Sequence, residues 1–298
     1  MEIGRLLTAM VTPMDDEGRV DYGQARRLAQ ALMDSGSDGI VVAGTTGESP
    51  TLSHEEKLRL VREVKEAVAG RGAVIAGTAT YRTDESIQLS REAEKAGADG
   101  LLLVTPYYHR PTQEGLYRHF RAIAEAVSIP CILYNIPGRT GVNMTAETAL
   151  RLSEVPNIVG VKEASGDLAQ AARIIEGAPP GFRVWSGDDA FTLPLLAVGG
   201  YGVIAVVSHL AGLQFKQMIE SFLAGAVEEA ARLHRRLLPL MQTLMTAAPN
   251  PIPIKYALNQ VGFKVGKPRP PLTEPDTAAA ERIMAEVAKV PLDLKVPV

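Results

Sequence analysis

A lysine stands at the end of an otherwise apolar run, Ile158-Val159-Gly160-Val161-Lys162, whereas most other lysines lie among charged neighbours. Desolvation at the end of a buried strand disfavours the charged ammonium and leaves more of the neutral amine, which attacks ketones to form a Schiff base. A structural lysine paired with a carboxylate would fit this segment equally well. Lys162 is therefore a candidate nucleophile, and the segment alone leaves both roles open.

Other polar side chains follow further apolar runs. The turn at residues 44–49, Gly-Thr-Thr-Gly-Glu-Ser, offers hydroxyls and backbone N–H groups that could hold a carboxylate, or it could be a plain helix-entry turn. Each tyrosine that follows a run could equally serve packing. In a parallel barrel, however, all strand ends meet at one face, so these groups would converge with the amine and favour catalysis. They are Thr45, Thr46, Tyr107, Tyr108, Tyr134 and Arg139.

The elements that must position these residues alternate along the chain. Eight short apolar runs recur at intervals of about 20 to 35 residues, as expected for strands. Charged segments with helical periodicity separate them, for example 54–69, 84–96, 114–127 and 168–176, and each is long enough to return the chain to a parallel neighbour. The strand candidates are 6–12, 39–43, 73–77, 101–105, 131–135, 158–162, 183–186 and 203–207.

This βα repeat, with strands apolar on both faces, predicts a closed (β/α)₈ TIM barrel rather than an open doubly wound sheet. Ser53 with Glu56 has the spacing of a helix capping box. After the eighth run the chain continues as helical pattern at 215–224, 227–246, 254–261 and 277–290. We therefore predict a catalytic barrel over residues 1–210 and a C-terminal helical extension over residues 211–298, packed together as one folding unit.

Composition narrows the function. The 298 residues are 46% hydrophobic with a formal net charge of −3, so no basic field exists to bind a run of phosphates, and nucleic acid is an unexpected partner. No apolar run approaches the roughly 18 residues of a membrane span, and the N-terminal stretch lacks the pattern of a secretion signal, so we expect a cytoplasmic protein. The single Cys131 lies in an apolar run and is expected to be buried and inert.

Two competing barrel chemistries are disfavoured. The histidines show no metal-ligand spacing, which argues against a metal-dependent aldolase. The segment Ser186-Gly187-Asp188-Asp189 is acidic where phosphate-handling barrels usually hold a Gly-rich anion site, so a phosphorylated substrate is not expected. The histidines are His54, His109, His119, His209 and His234.

Together the motifs resemble the dihydrodipicolinate synthase family of pyruvate-dependent class I aldolases, in order and spacing and over essentially the whole chain. The motifs that carry the resemblance are Gly44-Thr45-Thr46-Gly47-Glu48, Val104-Thr105-Pro106-Tyr107-Tyr108, Tyr134-Asn135-Ile136-Pro137-Gly138-Arg139-Thr140-Gly141, Gly160-Val161-Lys162-Glu163, Ser186-Gly187-Asp188-Asp189 and Pro249-Asn250-Pro251-Ile252-Pro253-Ile254-Lys255.

The resemblance implies condensation of pyruvate with L-aspartate 4-semialdehyde, without a metal or an organic cofactor. Lys162 would form the imine and Tyr134 would donate and accept protons. Thr45 and Tyr108 would link Tyr134 to solvent as a proton relay. The remaining substrate-binding positions carried over are Thr46 and the backbone of Ile204 for the pyruvate carboxylate, Arg139 for the semialdehyde carboxylate, and Gly187.

The resemblance also implies an assembly and a regulatory site. Family members bring Tyr107 into a neighbouring active site across a tight dimer interface, and a homotetramer is the usual assembly. In lysine-inhibited members the inhibitor binds near that interface, where this chain departs from the usual pattern at Lys57 and Tyr81; weak inhibition or none is therefore expected. The possible allosteric positions are Ser49, Pro50, His54, Lys57, Tyr81, Glu85 and Tyr107.

Two other functions stay open at this point. An N-acetylneuraminate lyase or a 2-keto-3-deoxy sugar acid aldolase shares the lysine strand and the Gly-Thr-Thr-Gly-Glu turn, and only Arg139 favours the synthase. A non-catalytic barrel that binds a keto acid would have no need of the proton relay formed by Tyr134, Thr45 and Tyr108. The predicted site therefore favours an enzyme over a binding protein.

Overall fold

The computed structural model describes residues 2–296, in which eight parallel strands pair in chain order and close into a barrel, with β1 hydrogen-bonded to β8. The predicted (β/α)₈ barrel is thus confirmed. The strands are β1 (Leu6–Ala9), β2 (Gly39–Val42), β3 (Ala73–Gly77), β4 (Gly100–Val104), β5 (Cys131–Asn135), β6 (Ile158–Glu163), β7 (Arg183–Ser186) and β8 (Gly202–Ala205).

Helices connect successive strands and continue beyond β8. Within residues 2–296, no helix combines the length and the apolar character needed to cross a membrane. The helices are α1 (Tyr22–Asp34), α2 (His54–Val68), α3 (Thr83–Lys95), α4 (Gln113–Ala124), α5 (Pro137–Thr140), α6 (Ala146–Ser153), α7 (Leu168–Gly177), α8 (Thr192–Ala197), α9 (Ser208–Leu223), α10 (Val227–Thr246), α11 (Ile252–Gln260) and α12 (Thr277–Val287).

Local sequence signals account for several helix ends. The capping box at α2 is formed: the Ser53 hydroxyl accepts from the Glu56 backbone N–H, and the Glu56 carboxylate accepts from that of Ser53. Asp21 and Thr112 cap α1 and α4 in the same way, each accepting a backbone N–H of the first turn. These caps fix where each helix begins after its strand-end loop, and the loops carry the polar residues of the barrel face.

Some predicted boundaries differ from those observed. β1 ends at Ala9 rather than at residue 12, because the chain then turns away and the Thr12 hydroxyl donates to the carbonyl of Gly47, 2.7 Å away. The boundary we predicted at residue 210 falls inside α9, which is interrupted by non-helical backbone at Ala211. The division into 1–210 and 211–298 therefore stays a prediction about folding units.

Apolar side chains pack in two layers. Those pointing into the barrel, such as Leu7, Ile75 and Ile132, form a small central cluster that includes Tyr134 and Trp185. Those pointing outward join the helices in a much larger cluster. The strands are thus covered on both faces, as their continuous apolar sequence predicted.

A buried ion pair joins the extension to the barrel. The Lys255 ammonium on α11 donates to the Glu48 carboxylate at 2.7 Å, and the two side chains are 1% and 0% exposed. The other Glu48 oxygen accepts from the Arg269 backbone N–H at 2.7 Å. Burial lowers the pKa of Lys255, whereas Glu48 acts to raise it. Because the pair lies in a low-dielectric interior, loss of one partner leaves an uncompensated buried charge.

We predict that Lys255→Met lowers the free energy of unfolding by about 3 to 5 kcal/mol, as for other buried pairs that lose one partner. The matched control is Lys289→Met, since Lys289 pairs with Glu286 at 2.7 Å but is 65% exposed; a change of at most about 1 kcal/mol is expected there. Denaturant unfolding followed by circular dichroism measures both. Equal losses in the two variants would contradict the structural role of the Lys255 pair.

Candidate active site

Pairing of β5 with β6 places Tyr134 directly beside Lys162. The Lys162 Nζ lies 4.3 Å from the centroid of the Tyr134 ring. Both side chains are buried, and the Lys162 ammonium makes no hydrogen bond or ion pair with any residue in the range 2–296. A buried amine without a carboxylate partner is unlike a structural lysine, and it is free to react with a carbonyl compound.

Gly187 forms a wall against the aliphatic part of this lysine. A Cβ placed on Gly187 would lie 2.6 Å from the Cβ of Ala164 and 3.1 Å from the Cε of Lys162. The Gly187 backbone N–H donates to the carbonyl of Glu163 at 2.8 Å, which continues the pairing of β6 with β7. Glycine is therefore needed here for close approach, and the loop after β7 restricts the lysine side chain.

The hydroxyl-rich turn follows β2, as predicted. Thr45 lines the open cavity at the barrel face, whereas Thr46 is buried and accepts a hydrogen bond from the Asn250 side chain at 2.9 Å. Glu48 adopts a left-handed backbone conformation, φ 58°, where it ends the turn and forms the buried pair with Lys255. The turn is thus held in place by the Lys255 ammonium and the Asn250 amide, both from the extension after β8.

The end of β8 is held by a buried carboxylate. Asp189 accepts from the backbone N–H of Val206 at 3.1 Å and of Val207 at 2.7 Å, just after Ile204. Burial raises the pKa of Asp189 to about 6, although these N–H groups and the Lys162 charge act to lower it. Asp189 therefore fixes the strand end whose backbone at Ile204 was predicted to bind a carboxylate.

A cavity of about 250 Å³ opens beside these residues and is lined by Thr45, Tyr134 and Arg139. Lys162 does not line it directly but contacts the Tyr134 ring that does. Arg139 lies on the short helix α5, and its side chain has no hydrogen-bond or ion-pair partner in the part of the chain that the structure describes. Its guanidinium is thus available to a carboxylate.

The two adjacent tyrosines after β4 have different surroundings. Tyr107 lines the cavity of its own chain and packs edge-on against Tyr81, with ring centroids 5.2 Å apart. Burial raises the pKa of Tyr107. Tyr108 has positive φ, 75°, and is 93% exposed. Within one chain, therefore, the structure does not bring the Tyr108 phenol to Tyr134.

Four of the predicted regulatory positions line the same cavity. Ser49, Pro50 and Lys57 line it together with Tyr107. Beside them, the His54 ring lies 3.3 Å from the Glu85 carboxylate. Burial lowers the pKa of Lys57, and Glu85 acts to raise it. Any ligand here would meet the Lys57 side chain.

On the outer face of β6, Glu163 is buried and surrounded by hydrogen-bond donors. Its carboxylate accepts from Asn135 at 3.1 Å, from Gln170 at 3.2 Å and from the Ser165 backbone N–H at 2.6 Å. Asn135 is the register partner of Glu163, just as Tyr134 is that of Lys162. The amides therefore fix the strand pair from outside the barrel.

The sequence analysis gave no role to Asp189 or Asn250, although both lie in motifs that carry the family resemblance. For Asp189 a usable signal existed, because the second of two acidic residues after an apolar strand can turn inward to cap a loop. For Asn250 the signal was weak: a polar residue between two prolines. The local sequence shows neither the contact of Asp189 with the end of β8 nor that of Asn250 with the turn after β2.

A buried amine against a phenol, at the strand ends of a parallel barrel and beside a hydroxyl-rich turn, defines the site of a class I, Schiff-base aldolase. The chain belongs to the dihydrodipicolinate synthetase family, whose model matches residues 2–290. It is 58% identical to a 4-hydroxy-tetrahydrodipicolinate synthase of Moorella thermoacetica, over 98% of this chain and 100% of the relative.

Two further relatives agree. A 4-hydroxy-tetrahydrodipicolinate synthase of Symbiobacterium thermophilum is 59% identical, over 95% of this chain and 97% of the relative. The crystal structure of the enzyme from Cyanidioschyzon merolae with lysine bound is 50% identical and has a TM-score of 0.95, covering 96% of this chain and 98% of that one. The similarity therefore extends over both barrel and extension.

We predict that Gly187→Ala lowers kcat by about 10- to 100-fold, because the added methyl group must displace Lys162 or its strand, and small misplacements of reacting groups cost rates of this order. Gly23→Ala on α1 is the control, since its Cβ would have no neighbour nearer than 3.4 Å. Steady-state kinetics of both variants, with circular dichroism to verify folding, checks this. Unchanged kcat in Gly187→Ala would show that the wall does not restrict the lysine.

Proposed function

We propose that this protein is a 4-hydroxy-tetrahydrodipicolinate synthase, which condenses pyruvate with L-aspartate 4-semialdehyde in the synthesis of diaminopimelate and lysine. The observation that carries the proposal is the buried, unpaired Lys162 amine beside the Tyr134 ring, 4.3 Å from its centroid. Relatives that bear the synthase name support the proposal, since two of them are 58% and 59% identical to this chain over 98% and 95% of its length.

In the proposed reaction, the Lys162 Nζ attacks the pyruvate ketone, and water leaves as the imine forms. The cationic imine makes the adjacent methyl group acidic, so loss of one proton gives an enamine. The enamine carbon then bonds to the aldehyde carbon of the second substrate. The substrate amine finally attacks the imine carbon, which closes the ring and releases Lys162. Tyr134 is positioned to exchange protons during these steps.

Different groups would hold the two carboxylates. Thr46 and the backbone at Ile204, which Asp189 holds in place, would receive the carboxylate of pyruvate. Arg139 at the cavity mouth would receive that of the semialdehyde through its planar fork. This residue separates the synthase from a sugar acid aldolase, whose acceptor is a polyhydroxy aldehyde.

The relay would be completed by a second copy of the chain. Thr45 lines the cavity next to Tyr134, but Tyr108 is 93% exposed in its own chain. The resemblance implied that Tyr107 crosses to a neighbouring site. The exposure of Tyr108 instead supports Tyr108 as the crossing phenol, because Tyr107 packs against Tyr81 in the cavity of its own chain. A tight dimer, with two dimers forming a tetramer, is the assembly we infer.

Borohydride reduction in the presence of pyruvate should leave a stable adduct on Lys162, which mass spectrometry of peptides locates. Lys162→Ala should give no adduct and no measurable turnover, because no other amine stands at this position. Lys289→Ala, which removes an exposed amine, should label and turn over like the wild type. An adduct on another lysine, or activity in Lys162→Ala, would contradict the assignment.

The acceptor is tested separately. Turnover with pyruvate and L-aspartate 4-semialdehyde should exceed turnover with pyruvate and a polyhydroxy aldehyde, and Arg139→Ala should selectively raise KM for the semialdehyde. The opposite preference, with the Lys162 adduct intact, would identify a sugar acid aldolase instead.

We also infer weak feedback by lysine. Lys57 is 8% exposed and lines the outer cavity, so its positive charge would face a ligand that carries two ammonium groups. Tyr81 places a phenol beside the same opening and packs against Tyr107. Like charges in a partly enclosed cleft repel more strongly than in open water.

L-Lysine should therefore inhibit the wild type weakly or not at all in a titration at saturating pyruvate. The double variant Lys57→His, Tyr81→Asn removes both obstacles and should be inhibited more strongly. Glu85→Gln in that background should reverse the gain, because it removes the carboxylate available to a ligand ammonium. Strong sub-millimolar inhibition of the wild type would contradict the inference.

A further inference from the structure

The extension after β8 reaches the turn after β2 with an uncharged side chain as well as with Lys255. Asn250 lies between α10 and α11 and is 6% exposed. Its Nδ2 donates to the Thr46 Oγ1 across 2.9 Å. This contact joins residues 204 positions apart in the chain. It therefore exists only when barrel and extension are packed together.

The direction of this hydrogen bond decides what the Thr46 hydroxyl can offer a ligand. A hydroxyl has one hydrogen to donate and two lone pairs that accept. The amide hydrogen of Asn250 occupies one lone pair, and in the part of the chain that the structure describes the Thr46 hydroxyl has no other hydrogen-bond partner. Its own hydrogen is thus left to donate. A carboxylate, which only accepts, is the ligand that such a hydroxyl suits.

The turn cannot easily move away from Asn250. Glu48, two residues after Thr46, accepts from Lys255 and from the Arg269 backbone, both at 2.7 Å. On the barrel side, the Thr12 hydroxyl donates to the Gly47 carbonyl at 2.7 Å. The distance between Asn250 and Thr46 is thus maintained by bonds on both sides of the hydroxyl.

We propose that Asn250 is a positioning residue for pyruvate, acting through Thr46: its amide fixes the Thr46 hydroxyl as a donor toward the substrate carboxylate. The proposal rests on the proposed function, since it assumes that Thr46 binds pyruvate. It assigns to the helical extension a part in substrate recognition, in addition to its packing on the barrel.

The chemical consequence is specific. Asn250→Ala removes the donor and lets the Thr46 hydroxyl rotate, so the KM for pyruvate rises by about 3- to 10-fold, a fraction of the loss expected when a hydrogen bond to a charged group is removed entirely. Asn250→Asp keeps the shape but presents only acceptors. The carboxylate would then compete for the Thr46 hydrogen and repel pyruvate, so KM rises by about 10-fold or more.

A double-mutant cycle tests whether the effect passes through Thr46. Pyruvate KM is measured for Asn250→Ala in the wild-type and Thr46→Val backgrounds. In the wild-type background, Asn250→Ala should raise the pyruvate KM as stated above. In the Thr46→Val background the rise should be less than about twofold, because no hydroxyl is left to orient. The KM for the semialdehyde should stay unchanged. A merely structural role would instead lower stability and affect both substrates in both backgrounds.

Asn259→Ala is the matched control. Asn259 lies in the same extension, but its amide bonds only to backbone: it donates to the Gly266 carbonyl at 2.9 Å and accepts from the Val265 N–H at 2.7 Å. It does not bond to the turn after β2, so pyruvate KM should stay within about twofold of the wild type.

Two outcomes overturn the proposal: an unchanged pyruvate KM in Asn250→Ala, or an equal rise in both backgrounds. If Asn250→Ala does not fold, the isosteric Asn250→Asp replaces it in the cycle. Its rise in pyruvate KM should then be smaller in the Thr46→Val background than in the wild-type background. Borohydride labelling of Lys162 at saturating pyruvate separates this proposal from the proposed function. If Lys162 is labelled and the pyruvate KM of Asn250→Ala is unchanged, only the role of Asn250 is rejected. If Lys162 of the wild type is not labelled, the Schiff-base assignment itself is rejected.

Discussion

The register between β5 and β6 is the constraint around which this site is arranged. It pairs Tyr134 with Lys162 toward the barrel interior and Asn135 with Glu163 toward the helices. Because successive side chains of a strand point to opposite faces, one register sets both pairs at once. The amides that surround Glu163 therefore support the same strand pair from outside the barrel. A slip of β6 by one residue would turn Lys162 toward the helices and away from Tyr134.

The loops around this pair are fixed by buried polar groups rather than by apolar packing alone. Asp189 holds the end of β8 through two backbone N–H groups, and Lys255 with Asn250 holds the turn after β2. Burying polar groups is costly unless they form hydrogen bonds, so the bonds that these groups form favour one loop geometry. The geometry of the loops at this face of the barrel thus depends on buried contacts between distant segments of the chain.

The sequence predicted the fold and much of the site for simple physical reasons. Apolar runs separated by helical segments indicate parallel strands, and polar residues directly after such runs must meet at one face; Lys162, Tyr134 and Thr45 were found this way. What local pattern cannot show is which distant segments meet. Neither the contact of Asn250 with Thr46 nor the exposure of Tyr108 follows from periodicity, because both depend on packing of the extension and on backbone conformation.

The ion pair between Glu48 and Lys255 also bears on the order in which the chain is synthesised and folds. Its members are 207 positions apart, and translation delivers the N-terminal partner first. All eight strands are therefore made before the ammonium that neutralises Glu48 exists. Until α11 has been made, the Glu48 carboxylate at the turn after β2 therefore has no ammonium partner. The turn reaches its final contacts only when α11 has been synthesised and has docked on the barrel.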